Sequence, residues 1–174
     1  EHYSSDNLVT NSDGGVVNSS SGSIGMLRNS NANLVEVLGV GSQWNISGTL
    51  SVGNNSYNNK LLISDGGIVY SSNTQIGQAS HHNSVGNNIS VEGAGSKWIN
   101  SGSLTIGVDE YAYSLDNHLS ISSGGEVVLQ NGVTISFDPV GQKNYLNLNQ
   151  GGKLTIGTAF DASMEGFNYN AGST

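Results

Sequence analysis

Two stretches of this chain are nearly copies of one another: residues 33–53 read NLVEVLGVGSQWNISGTLSVG, and residues 87–107 read NNISVEGAGSKWINSGSLTIG. They align without a gap and agree at 10 of 21 positions. Each copy begins with Asn followed by apolar residues at alternate positions, and ends with an aliphatic residue followed by Gly. Such alternation is typical of a β-strand with one buried face. The two copies therefore predict a fold built from repeated short strands.

The opening motif, Asn-x-Φ-x-Φ with Φ an apolar residue, recurs along the chain at steps of 26, 26, 28, 30 and 27 residues. Its copies begin at Asn7, Asn33, Asn59, Asn87, Asn117 and Asn144. Each copy later reaches a second landmark: Ile24-Gly25, Val52-Gly53, Ile76-Gly77, Ile106-Gly107, the variant Ile135-Ser136, and Ile156-Gly157. A unit this short cannot bury its apolar face alone, so the copies must stack as the rungs of a solenoid.

Corners of the rungs are indicated by glycine and asparagine. The shorter rungs carry the glycine pairs Gly14-Gly15, Gly66-Gly67, Gly124-Gly125 and Gly151-Gly152. A corner needs positive φ or space for a close approach, and glycine supplies both. We expect each motif Asn to be a left-handed corner residue whose amide bonds to the equivalent amides above and below.

These patterns predict an all-β fold, a right-handed parallel β-helix of about six rungs, in a single domain covering residues 1–174. At about 4.8 Å per stacked strand, six rungs make a rod of roughly 29 Å. Residues 158–174 fit no repeat, and we expect this tail to cap the C-terminal end. Besides the aliphatic landmark residues, the predicted inward set is Val9, Val35, Val37, Leu61, Ile63, Ile89, Val91, Leu119, Ile121, Leu146 and Leu148.

Composition excludes several functional classes. The formal charge is -8, with 13 acidic and 5 basic residues, which disfavours nucleic acid and anionic membrane surfaces as partners. Cysteine is absent, so disulfides and thiolate chemistry are excluded. No apolar run approaches the roughly 20 residues of a transmembrane helix, and we expect no membrane insertion of this segment.

The combined pattern is V-x-G-x-G-S-x-W-x-x-S-G-x-L-x-V/I-G alternating with N-x-L-x-I-S-x-G-G-x-V. It resembles the repeats of autotransporter (type V secretion) passengers and of PEP-CTERM-associated surface proteins. The resemblance covers residues 7–157, and its Gly-Ser-x-Trp element occurs twice in register. It implies an exported right-handed β-helix displayed on a bacterial cell surface as one stretch of a longer array, with neighbouring repeats in the parent chain. It brings no catalytic residues with it.

Length variation between rungs falls between each landmark and the next Asn, in residues 26–32, 54–58, 78–86, 108–116 and 137–143. All five insertions leave the same corner, so we expect them to stack into one surface, called the loop ridge below. Two interpretations of the loop ridge are open. Its exposed aromatic and polar residues either form a contact surface for glycans or proteins, or are ordinary solvated loops at a position where insertions are tolerated. The candidate ligand-binding residues of the loop ridge are Tyr57, His81, His82, Tyr111, Tyr113 and Phe137.

Two tryptophans occupy equivalent positions two rungs apart. Trp44 and Trp98 either form a platform for sugars or, as we expect, serve structural packing at a corner. Catalysis on a β-helix needs a carboxylate pair or a cation cluster. Arg28 is the only Arg, and no Asp pair recurs on a strand. We therefore expect no catalytic residues and no cofactor.

Metal binding has one candidate group, the acidic residues of the fourth insertion. Asp109, Glu110 and Asp116 could bind calcium, although no known calcium-loop spacing is present. His81 and His82 are adjacent and diverge in a strand, so we expect no histidine metal site.

The sequence thus favours a non-catalytic extracellular β-helical module, a structural or adhesive rod of a bacterial surface or secreted protein. Glycans, or proteins of host or neighbouring cells, are its candidate partners. The alternative is a carbohydrate-binding or polysaccharide-processing β-helix that uses the loop ridge.

Overall fold

The computed structural model describes residues 4–109, 112–136, 143–158, 160, 165–170 and 172. The first three turns of the chain contain β1 (Leu8–Asn11), β2 (Val16–Ser19), β3 (Gly22–Met26), β4 (Leu34–Leu38), β5 (Gln43–Ile46), β6 (Leu50–Asn54), β7 (Lys60–Ser64), β8 (Ile68–Ser71) and β9 (Thr74–Ala79). The later turns contain β10 (Ser84–Val85), β11 (Asn88–Glu92), β12 (Lys97–Asn100), β13 (Leu104–Asp109), β14 (Ser114–Leu115), β15 (His118–Ser122), β16 (Glu126–Leu129), β17 (Val133–Ile135), β18 (Tyr145–Leu148), β19 (Lys153–Ile156) and β20 (Phe167–Tyr169). In these described ranges no helix is long and apolar enough to cross a membrane.

The strands stack into three parallel sheets that run along the molecule. Sheet A has the order β1-β4-β7-β11-β15-β18-β20, sheet B β2-β5-β8-β12-β16-β19, and sheet C β3-β6-β9-β13-β17. Each of the first five turns gives one strand to each sheet, whereas the shortened sixth rung gives only β18 and β19. The predicted all-β parallel β-helix is therefore confirmed, with about five complete turns in place of the six expected rungs.

The core lies between the three sheets and is filled by one or two inward residues per strand. Nine of the eleven predicted first-strand residues and five of the six aliphatic landmark residues are buried, while Val35 and Ile156 pack against the core partly buried. Val9 is an exception, since 58% of it is exposed. It lies on β1, the first strand of sheet A, where no described strand stacks above it.

The six motif asparagines lie in one column, called the Asn ladder below. From Asn7 to Asn144, each Nδ2 donates to the Oδ1 of the next asparagine, at 2.7, 2.9, 3.0, 2.9 and 3.0 Å. Each backbone N–H also donates to that same Oδ1, at 3.2, 3.1, 2.9, 3.0 and 3.0 Å. Asn59, Asn87, Asn117 and Asn144 are fully buried, so the column is part of the interior.

The asparagines themselves are not the left-handed residues, which corrects the sequence expectation. The positive φ angles, 57°, 54°, 56°, 70° and 53°, belong to the residues one position earlier, Asp6, Ala32, Asn58, Gly86 and Asp116. The motif asparagine already takes part in sheet A, because the carbonyl of Asn33 accepts from the Lys60 N–H at 2.8 Å. The chain reversal therefore has to be completed one residue before it.

A Ser-x-x-Asn pattern that the sequence analysis missed supports the ladder. Serines stand three residues before five ladder asparagines, and four of them accept from the asparagine Nδ2 at 2.9 to 3.1 Å. Ser56, Ser84 and Ser114 in turn donate to the carbonyls of the landmark glycines Gly25, Gly53 and Gly77, at 2.8, 3.0 and 2.7 Å. Glycine is required there, because a Cβ would run into the ladder asparagine two rungs later. At the variant landmark, Ser136 stands in place of glycine, and the Asn144 Nδ2 donates to its carbonyl at 3.0 Å.

The tail contributes a strand to sheet A. Within it, β20 pairs in parallel with β18, so that Phe167 lies beside Leu146. Phe167 packs against the core, and the Phe160 ring meets it edge to face with centroids 5.1 Å apart. Met164, another apolar residue of the tail, lies outside the described residues.

Candidate functional site

The loop ridge is held together by hydrogen bonds between successive insertions. Backbone N–H groups of Ala32, Asn58 and Gly86 donate to the carbonyls of Tyr57, Val85 and Leu115, at 2.9, 2.9 and 3.0 Å. Strands β10 and β14 form a two-stranded parallel sheet within it. The first four insertions therefore leave one corner and stack. The fifth, residues 137–143, lies outside the described residues except for Lys143.

The exposed candidates of the loop ridge are His81, His82 and Tyr113. Both histidines are exposed in the third insertion, and Tyr113 is 54% exposed in the fourth. Tyr57 is half-buried, since it also forms a bridge with Val85. Tyr111 and Phe137 lie outside the described residues. The structure thus brings Tyr57, His81, His82 and Tyr113 onto one surface.

A buried asparagine that sequence analysis missed organises the third insertion. The Oδ1 of Asn55 accepts from the backbone N–H groups of Ser80, His81 and His82, at 3.0, 2.9 and 3.0 Å. Asn55 itself has a φ of 54° and is only 6% exposed. Three consecutive N–H groups on one oxygen fix the loop backbone, and the two histidine side chains are left at the surface. The only sequence signal was the Asn54-Asn55 pair at the start of an insertion.

The calcium candidate is described only in part. Asp116 is exposed and left-handed at the end of its insertion, the side chain of Asp109 is outside the described part, and so is all of Glu110. In the described ranges, no three His, Asp or Glu side chains come together in a way that could hold a metal ion.

The tryptophans face inward on sheet B. Trp98 is fully buried in β12, and its Nε1 donates to the Ser71 hydroxyl at 2.9 Å. Trp44 is half-buried in β5, and its Nε1 donates to the Ser19 hydroxyl at 3.0 Å. Both indoles lie on strands rather than at a corner, and Trp98 has no surface that a sugar could contact.

A stacked pair on the outer face of sheet A was not foreseen. The rings of His118 and Tyr145 are parallel within 8°, with centroids 4.7 Å apart. His118 Nδ1 bonds to the Asp116 carbonyl at 3.1 Å, and its Nε2 meets the Asn88 Nδ2 at 3.0 Å. Because a carbonyl only accepts, Nδ1 carries the proton, and Nε2 accepts from the amide. Burial lowers the pKa of His118 and raises that of Tyr145.

Fold and surface together define a class: a parallel β-solenoid with an internal Asn ladder and one ridge of stacked loops. Comparisons of the chain with protein-family models, with curated proteins and with solved structures find no match.

Proposed function

We propose that this chain is a non-catalytic, extracellular β-helical module that acts as a structural or adhesive rod of a bacterial surface or secreted protein. The observation that carries the proposal is the Asn ladder. The residues that repeat from rung to rung, Asn, Ser and Gly, are engaged in holding rungs to one another rather than in lining a cleft. A side chain bonded above and below along the stack favours a stiff, extended element.

The adhesive part of the proposal is assigned to the loop ridge. Its exposed histidines and Tyr113 project from a backbone fixed by inter-rung bonds. Rigid loops on a stable scaffold lose little entropy on binding, which suits recognition. The resemblance to autotransporter passengers and PEP-CTERM-associated surface repeats supports an exported location, with glycans or surface proteins of other cells as partners.

Two measurements test the proposal. Antibodies against the chain should label intact cells of the bacterium that encodes it, and labelling only after lysis would contradict the extracellular assignment. Beads coated with the chain should adhere to target cells, while a screen of polysaccharides should detect no release of product. Product release that requires Tyr113 or His82 would instead support the polysaccharide-processing alternative.

A further inference from the structure

An open groove of about 750 Å³ lies where sheet B turns towards sheet C in the first three turns. This volume falls within the roughly 300–1,000 Å³ that small-molecule sites occupy. No residue that lines the groove carries a charge. The polar and aromatic groups that line it come from Tyr70, Asn45, Asn18, Gln43, Ser19 and Ser47.

Tyr70 gives this groove an aromatic surface. It is 38% exposed on β8, and the strand register puts Asn45 on one side of it and Ile99 on the other. In the same column of sheet B the later turns carry Ile99, Val128 and Thr155. An aromatic residue beside amides therefore occurs only at this end of the column. An exposed ring of this kind packs against the apolar C–H face of a pyranose.

The amides beside Tyr70 are held in a fixed orientation. Asn45 Nδ2 donates to Asn18 Oδ1 at 2.9 Å, which leaves Asn45 Oδ1 as an acceptor and Asn18 Nδ2 as a donor for a further partner. Ordered donors and acceptors next to an aromatic ring match the alternating hydroxyls of a sugar.

The charge distribution selects among ligands. The chain carries a formal charge of -8, which repels polyanions, and the groove offers neither a carboxylate for a cation nor a basic group for a phosphate. We infer that this groove, called the Tyr70 groove, binds a neutral saccharide through ring stacking on Tyr70 and hydrogen bonds to Asn45 and Asn18. The inference goes beyond the proposed function and does not rest on it, because the adhesive part of that proposal is assigned to the loop ridge, which lies at a different corner.

The test is a titration of the full chain with neutral oligosaccharides of glucose, galactose, mannose and xylose, and with polygalacturonate as the acidic probe. Binding is followed by the NMR shifts of the asparagine side-chain amides. We expect at least one neutral oligosaccharide to bind with a Kd of about 1 mM or below and to move the Asn45 and Asn18 amide signals. Tyr70→Ala should weaken binding about tenfold or more, because the stacking surface is lost.

Controls separate the groove from the loop ridge and from misfolding. Tyr70→Phe keeps the ring and should retain affinity within about threefold. Tyr113→Ala removes a more exposed ring from the loop ridge and should leave unchanged the binding that moves the Asn45 and Asn18 signals. Circular dichroism should show all three variants folded. The inference is overturned if no neutral oligosaccharide binds, if only polygalacturonate binds, if Tyr70→Ala binds normally, or if Tyr113→Ala loses binding instead.

Discussion

Interior asparagines of the ladder have almost all of their polar atoms bonded inside the protein. Asn87 Oδ1 accepts from the backbone and side chain of Asn59, while its Nδ2 donates to Asn117 Oδ1, to the Ser84 hydroxyl and to the Ser56 carbonyl. A buried polar group that loses its partner costs about 1–3 kcal/mol. The contribution of each asparagine therefore depends on its depth in the stack.

Replacing the central asparagine should be much more costly than replacing the terminal one. Asn87→Ala leaves the backbone N–H of Asn59 without its acceptor and removes one of two partners from both the Asn59 Nδ2 and the Asn117 Oδ1. We expect the free energy of unfolding to fall by about 2–4 kcal/mol in urea titrations. Asn7→Ala, at the exposed end of the same ladder, should cost less than about 1 kcal/mol. Equal losses for the two variants would mean that the ladder adds no stability beyond its surface bonds.

Two glycines with positive φ allow the cost of a left-handed backbone to be measured separately from the cost of a steric collision. Gly53 has a φ of 76°, and a Cβ added there would collide with the Asn87 side chain, whereas Gly14 has a φ of 79° and a Cβ added there would meet nothing within 4 Å. Gly14→Ala should cost about 1–2 kcal/mol for the left-handed backbone alone. Gly53→Ala adds a collision with the ladder, so we expect at least about 2 kcal/mol more in the same urea titrations. If both substitutions lower the free energy of unfolding by similar amounts, the landmark glycine is not needed for packing against the ladder asparagine.

At the scale of a strand, sheet A differs between its two surfaces. The inner surface is aliphatic, while the outer surface carries the His118–Tyr145 stack beside Asn88 and, one strand further on, Lys60. Sheet B has an ion-paired column outside, in which Glu126 lies 3.3 Å from the Lys97 Nζ and 3.5 Å from the Lys153 Nζ. These outer columns join strands that are 27 to 30 residues apart in sequence.

Stability should depend on pH through His118, because folding favours the neutral form of its imidazole. Burial lowers its pKa from 6.5, with Lys60 acting in the same direction and the carbonyl and charge of Asp116 opposing it. Below pH 6.5 the unfolded chain takes up the proton first, so the free energy of unfolding falls until the folded pKa is reached. His118→Asn should lose this dependence, while His82→Asn, at an exposed histidine of the loop ridge, should keep it. An unchanged slope in His118→Asn would contradict the assignment.

Strand β20 protects the last edge of sheet A. Exposed strand edges pair with other molecules, and β18 would become such an edge without the tail. Deletion of residues 159–174 should therefore cause aggregation, measured by light scattering. Replacing Tyr113 by Ser should leave the chain monomeric and its melting temperature nearly unchanged. If the tail deletion stays monomeric while the Tyr113→Ser protein unfolds, the loop ridge stabilises the fold and the tail does not protect the sheet edge, contrary to this account.

For the molecule as a whole, the repeat in the sequence predicts most of the fold. Alternation around each motif Asn locates strands of sheet A, and the first five landmarks locate those of sheet C. The sixth landmark was misassigned, because Ile156 lies on β19 of sheet B beside Leu129. Sheet B is less apparent: Val69 belongs to the Gly-Gly-x-Val element, but buried Ile46 and Leu129 follow no shared motif. The residue with positive φ was predicted one position too late. The spacing of the repeat locates the corner, but it does not show which residue of the corner adopts the left-handed conformation.

The candidate surfaces were only partly predictable. The stacking of insertions into the loop ridge follows from their common corner, and the hydrogen bonds from Ala32, Asn58 and Gly86 agree with it. The Tyr70 groove was missed because Asn18, Asn45 and Tyr70 come from three different rungs, and only the strand register brings them together. The His118–Tyr145 stack was missed for the same reason.

The Asn ladder is the central claim, and inter-rung contacts between its side-chain amides test it most directly. In a NOESY spectrum of the folded chain, the Nδ2 protons of Asn59, Asn87 and Asn117 should show cross-peaks between neighbours 28 and 30 residues apart in sequence. These protons should also exchange slowly with solvent, because the side chains are buried. Absence of those cross-peaks, with amide protons that exchange as fast as those of exposed asparagines, would contradict the stacked-rung account.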